Sequence, residues 1–194
     1  MSTEDNLFTP DPSKFSHLKD KVVVLTGGAN GIGARLVQVL HNTGAKLVFG
    51  DFDSASGEKL TSSLSSSDVT FLPTNVTKYD ENYALFKTAL DKYGRVDHAI
   101  ACAGIIEQGL WFDPNLTVES VSKPETTATL DVNLFGVLYF ARIAVPFLKH
   151  GKKEGEDKSL TLFSSAAGFR ESPGLPVYQV SNVELSTTAK RIHR

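Results

Sequence analysis

Gly27, Gly31 and Gly33 stand between a β-branched run, Lys21 to Thr26, and a stretch with apolar residues at Ile32, Leu36 and Leu40. Glycines in that setting permit a tight turn and let main chain come close to a ligand, while Gly33 lets helix and strand pack together. The helix that follows offers free N–H groups and the positive end of its dipole, which suits a pyrophosphate. A glycine-rich surface turn is the plainer alternative, but a strand before and a helix after are what a phosphate loop requires. Asp51 closes the next apolar run, Lys46 to Asp51. A carboxylate there accepts hydrogen bonds from ribose hydroxyls and repels a 2′-phosphate, which favours NAD over NADP. Without that context Asp51 is a turn acid or a helix cap. Phe52 suits the face of an adenine and the core equally well.

Alternating strands and helices must hold these residues in place. Short apolar runs at Lys21–Thr26, Lys46–Asp51, Val69–Leu72, Val96–Ala101 and Leu160–Ser164 read as strands. Between them lie helical periodicities. Ile32, Leu36 and Leu40 mark the first, stopped by Gly44, and Ser54 to Leu64 reads as a polar surface helix. Tyr79, Tyr83, Phe86, Leu90 and Tyr93 mark a third, closed by Gly94, with Thr77 and Asp80 resembling a capping box before it. Leu130, Leu134, Val137, Ala141, Ala144 and Leu148 mark a long fourth. Strands separated by helices predict parallel βαβ units and a doubly wound α/β sheet. Residues 1–18 read as a polar lead-in, and no internal repeat is visible.

Composition narrows the function classes. The 194 residues carry 20 basic and 22 acidic side chains, a formal charge of −2. That leaves no cationic surplus for nucleic acid or a lipid surface. A 41% hydrophobic content supplies a core. Cys102 is the single cysteine, so no internal disulfide forms. The N-terminal residues include Asp5, Pro10, Asp11 and Pro12 and no apolar signal-peptide core. The longest apolar stretch, Leu134 to Ala141, ends at Arg142, short of the ~20 residues of a membrane span. The expectation is a cytoplasmic chain with no nucleic-acid or membrane partner and no metal centre.

The T-G-x-x-x-G-x-G spacing of Thr26 to Gly33 resembles the short-chain dehydrogenase/reductase family, with similarity running from about Lys21 to Ser181. The style is that of NAD-preferring, fungal alcohol dehydrogenases. The resemblance implies a Rossmann-type sheet ordered 3-2-1-4-5 and a nucleotide-binding domain over residues 19–181. It implies cofactor contacts from Thr26, Gly27, Asn30, Gly31, Ile32, Gly33, Asp51 and Phe52. Asn75 and Val76 stand where the family has Asp-Val, and the carbonyl of Asn75 is expected to accept the adenine amino hydrogen. Ala101, Cys102, Ala103 and Gly104 replace the family's Asn-Asn-Ala-Gly. Cys102 reads as a small buried side chain. Asn133 would orient a water in a proton relay, unless it simply occupies a polar helix face. Ser165, 13 residues before Tyr178, would donate to the substrate oxygen. Tyr178 would exchange a proton with that oxygen while hydride moves to or from nicotinamide, the substrate being a secondary alcohol or ketone. The plainer readings are a strand-end cap for Ser165 and an interfacial aromatic for Tyr178. The helix over residues 130–149 resembles one that pairs subunits, so a homo-oligomer is expected.

One motif departs. The family pattern is Y-x-x-x-K, and here Asn182 follows Tyr178 by four. The missing ammonium would hold the nicotinamide ribose and ease deprotonation of a phenol, whose ordinary pKa is ~10. General acid–base catalysis is worth roughly 10²–10⁴-fold, and impaired turnover of that order is expected. Lys190 is twelve residues beyond Tyr178, three helical turns if the helix continues, too far to substitute. Residues 182–194 read as a tail outside the family pattern, as a missed intron or frameshift would produce. The sheet is then truncated after strand five, with an open edge. Two function classes follow: an impaired NAD-dependent oxidoreductase, or a non-catalytic dinucleotide-binding isoform or pseudoenzyme.

Overall fold

The computed structural model describes residues 12–183. It has five parallel strands: β1 (Val22–Thr26), β2 (Lys46–Asp51), β3 (Val69–Pro73), β4 (His98–Ala101) and β5 (Ser159–Leu162), ordered β3-β2-β1-β4-β5. Helices α1 (Gly31–Asn42), α2 (Ser54–Leu64), α3 (Tyr79–Tyr93) and α4 (Ala128–Lys149) connect them. The expected strand order is therefore present. A further helix, residues 176–183, carries Tyr178. Most of the tail, 184–194, and residues 1–11 of the lead-in lie outside the described residues. Pro12–Leu18 of the lead-in winds as a 3-10 helix.

β1 shows why the strands are apolar without alternation. Val22 and Val24 face a cluster with Leu85, Phe86, Phe140 and Ile143 from α3 and α4. Val23 and Leu25 face the opposite cluster with Val37, Leu40 and Leu60 from α1 and α2. A strand whose side chains alternate between two covered faces must be apolar throughout. Phe86 and Phe140 pack with ring centroids 4.9 Å apart and are fully buried.

Three local expectations need correcting. The buried stripe of α1 is Gly33, Val37 and Leu40, while Ile32 is 66% exposed. The Thr77–Asp80 capping box does not form: Lys78 is the N-cap of α3 and makes no side-chain cap bond. Instead Thr77 donates from its N–H and hydroxyl to Asn75 Oδ1, at 3.0 and 2.8 Å. Finally, α4 is 22 residues long and apolar enough by length and composition to cross a membrane. Its Val137, Phe140, Ile143, Ala144 and Leu148 are instead buried against the sheet, which accounts for that apolarity.

The charged loop before β5 is tied down by one buried carboxylate. Asp97, fully buried, accepts from the Val22 N–H, the Arg95 guanidinium and the Lys158 ammonium. Burial opposes the charge of Asp97, but Arg95, Lys158 and that N–H outweigh it and hold its pKa below the usual carboxylate value.

Candidate active site

The C-terminal ends of the strands open into one cleft of ≈ 980 Å³. Doubly wound sheets bind ligands there, where the strand order reverses between β1 and β4. The Gly27–Gly33 loop forms its middle. Gly27 has φ +73° and packs so close to Ala103 that a Cβ would lie 2.6 Å from that residue's Cα. A Cβ on Gly33 would lie 1.8 Å from the Gly27 carbonyl oxygen, so only glycine lets α1 begin there. Gly31 differs: its φ is +52° and nothing surrounds the position of a Cβ within 4 Å. That open space lies at the start of α1, whose first turn carries no acid. Free N–H groups and an uncrowded approach suit a phosphate.

On the β2 side stands Asp51. Its carboxylate accepts from the Ala29 N–H at 2.9 Å and from the Asp53 N–H at 3.0 Å, which holds it against the loop. Asp53 caps α2, accepting from the Ser56 N–H at 3.0 Å, and the Ser56 side chain, that N–H and Asn30 hold its carboxyl below the usual value. Phe52 is 79% exposed on the cleft wall and is not core. Asn75 and Val76 follow β3 and also line the cleft. The Asn75 carbonyl, however, is turned to Thr77 and is not the free acceptor expected of it.

The other end of the cleft is built by the segment after β4, the start of α4, the end of β5 and the Tyr178 helix. Cys102, Ala103 and Gly104 line it. Burial and then the nearby Asp51 carboxylate push the Cys102 thiol up, which disfavours the thiolate. Asp131–Gly136 winds as a π turn within α4 and carries Asn133 inward. Asn133 is 5% exposed; its Nδ2 donates to the Ile105 carbonyl and its Oδ1 accepts the Ile105 N–H, both at 2.8 Å. Its amide thus clamps the segment after β4.

Tyr178 lines the cleft, and its helix is fixed at the start by Glu107. The Tyr178 N–H donates to Glu107 Oε2 at 2.6 Å and the Val177 N–H to Oε1 at 3.3 Å. Asn182 is 4% exposed and also lines the cleft. Its Nδ2 donates to the Tyr178 carbonyl at 2.9 Å, and its own carbonyl accepts from the Ser164 hydroxyl at 3.1 Å. The position therefore faces the site with an amide already engaged, and no cation takes its place: the charged residues among the described cleft lining are Asp51 and Asp131.

Of the residues expected here, Gly27, Asn30, Gly31, Ile32, Gly33, Asp51, Phe52, Asn75, Val76, Ala103, Gly104, Asn133 and Tyr178 share this cleft. Thr26 and Ala101 do not reach it; both are 1% exposed and lie beneath it as neighbours in the β1–β4 ladder. Nor does Ser165, whose hydroxyl caps a short 3-10 turn by accepting the Ala167 N–H at 3.2 Å. Its neighbour Ser164 is on the wall. Thr74, Thr77, Ile105, Ile106 and Phe163 also line the cleft, unforeseen from the sequence. Their signal was positional, since each lies just past a strand end.

Comparison with known proteins agrees with this architecture. Residues 21–192 match the family model for short chain dehydrogenases, a match that runs past Ser181. The short-chain dehydrogenase/reductase ascJ of Acremonium egyptiacum is 36% identical over 153 residues, covering 79% of this chain and 50% of that protein. An uncharacterised oxidoreductase of Staphylococcus saprophyticus is 36% identical over 163 residues, covering 84% of this chain and 62% of that protein. The chain thus spans about half to three-fifths of these relatives. Among solved structures, a short chain dehydrogenase/reductase from Burkholderia phymatum in complex with NAD superposes with a TM-score of 0.77 at 21% identity, over 90% of this chain and 59% of that one. A 3-ketoacyl-(acyl-carrier-protein) reductase from Brucella melitensis complexed with NADH gives 0.75 at 23% identity, over 90% and 69%. With a family match across most of its length and the strand order and glycine loop in place, the chain belongs to the short-chain dehydrogenase family.

Proposed function

We propose that the cleft binds a nicotinamide dinucleotide, NAD in preference to NADP, and serves hydride exchange with a secondary alcohol or ketone at reduced rate. The observation that carries this reading is a single cleft with the Gly27–Gly33 loop at its middle, Asp51 on one side and Tyr178 on the other. The residues present fit such a cofactor: an open, acid-free start of α1 for the pyrophosphate and a positioned carboxylate for a ribose diol. With no cation on the described wall, a 2′-phosphate gains nothing and meets the Asp51 charge.

When bound, the nicotinamide supplies the hydride acceptor or donor. The chain supplies the proton. Tyr178 moves it at the substrate oxygen, and a serine hydroxyl at the end of β5 donates a hydrogen bond to the same atom. Ser165 is the expected donor; the Ser164 hydroxyl on the cleft wall gives its proton to the Asn182 carbonyl. Asn133 serves by holding the segment after β4 against the site. Asn182 supports the second reading, a dinucleotide-binding chain without useful turnover, because it brings no ammonium to Tyr178 or to the ribose. NADH binding with turnover of a panel of secondary alcohols and ketones separates the two. The expected result is NADH binding, turnover near background, and a rise of roughly 10²-fold in Asn182→Lys. Binding without any gain in Asn182→Lys favours the non-catalytic reading, and no binding at all removes both.

A further inference from the structure

We propose that Asn75 meets the base of the dinucleotide with its amide N–H, so the cleft favours an acceptor over an amino group at the base's 6-position. The inference rests on the dinucleotide reading above. With the pyrophosphate at α1 and a ribose at Asp51, the base lies farther along the sheet, past β3. There Phe52, Thr74, Asn75 and Val76 line the cleft.

The orientation of the Asn75 amide follows from its partners. Its Oδ1 accepts from the Thr77 N–H at 3.0 Å and from the Thr77 hydroxyl at 2.8 Å. A main-chain N–H only donates, so the end of the amide facing it must be oxygen. The main-chain N–H of Asn75 donates to Glu81 Oε2 at 2.6 Å, which fixes the residue from the other side. Nδ2 makes no hydrogen bond among the described residues and remains as a donor. Adenine carries an amino donor at position 6, whereas hypoxanthine carries a carbonyl acceptor. Two donors facing each other lose a bond that donor and acceptor make.

The test is a fluorescence titration of the 194-residue chain and its Asn75→Asp variant with NADH and with reduced nicotinamide hypoxanthine dinucleotide. Aspartate keeps one oxygen for Thr77 and turns the other to the base, so the Asn75→Asp variant keeps its turn. The unaltered chain binds the hypoxanthine form at least as tightly as NADH. Asn75→Asp shifts the ratio towards NADH by about tenfold, the scale of one hydrogen bond. A ratio unmoved by Asn75→Asp, with both dinucleotides bound, overturns this inference and leaves the dinucleotide reading standing. Failure of both dinucleotides to bind either protein overturns both.

Discussion

Asp51 and Glu107 show what one carboxylate can do through main-chain N–H groups. Asp51 is bound by Ala29 and Asp53 and presents its charge to the cleft. Asp51→Ala is expected to weaken NADH binding about tenfold and to narrow the gap to NADPH, read by titrating both. Glu107 neutralises two N–H groups at the start of the Tyr178 helix, where a negative charge is also favoured by the dipole. Glu107→Ala is expected to destabilise the fold by about 1–2 kcal/mol in urea unfolding, with Glu107→Gln recovering part of it. Asp51 was legible because a strand end followed by Asp is a local pattern. Glu107 was not, since the helix it caps lies 70 residues on. Asn75 was legible as a site residue but not in its orientation, which depends on the turn that Thr77 makes.

At the scale of elements, the glycine loop and the β4–β5 pair carry distinct consequences. Gly33→Ala places a methyl against the Gly27 carbonyl and should both destabilise the fold, by about 1–3 kcal/mol, and abolish NADH binding. Thermal unfolding and titration of the same sample read both effects. His98 at the start of β4 shares its Nδ1 with the Ser159 hydroxyl, its register partner in β5, at 2.8 Å. Burial lowers its pKa from 6.5, with Asp157 and Asp97 opposing. In the unfolded chain His98 takes up a proton below about pH 6.5 that the folded chain resists, so folding stability falls as pH drops through that range. His98→Gln should flatten the slope of urea-unfolding free energy between about pH 6.5 and 5. Strand and helix positions were readable because each periodicity is local. The Thr77 capping box failed because Asn75 competes for the same groups. The Ile32 stripe failed because that side chain serves the cleft.

For the whole molecule, the sheet order brings the glycine loop, Asp51 and Tyr178 from distant parts of the chain to one cleft at the strand ends, where the proposed dinucleotide and substrate oxygen would meet. Among the described residues β5 pairs only with β4 and presents an edge there. Concentration-dependent association on size exclusion is expected, reduced by Thr161→Lys on that exposed strand position. The proposed preference of this cleft for NAD over NADP can be read through Trp111, the single tryptophan, by energy transfer to a reduced nicotinamide. Titration with NADH and NADPH is predicted to give one saturable NADH site per chain, with NADPH at least about tenfold weaker. No saturable NADH binding, or NADPH binding as tight or tighter, would contradict the account.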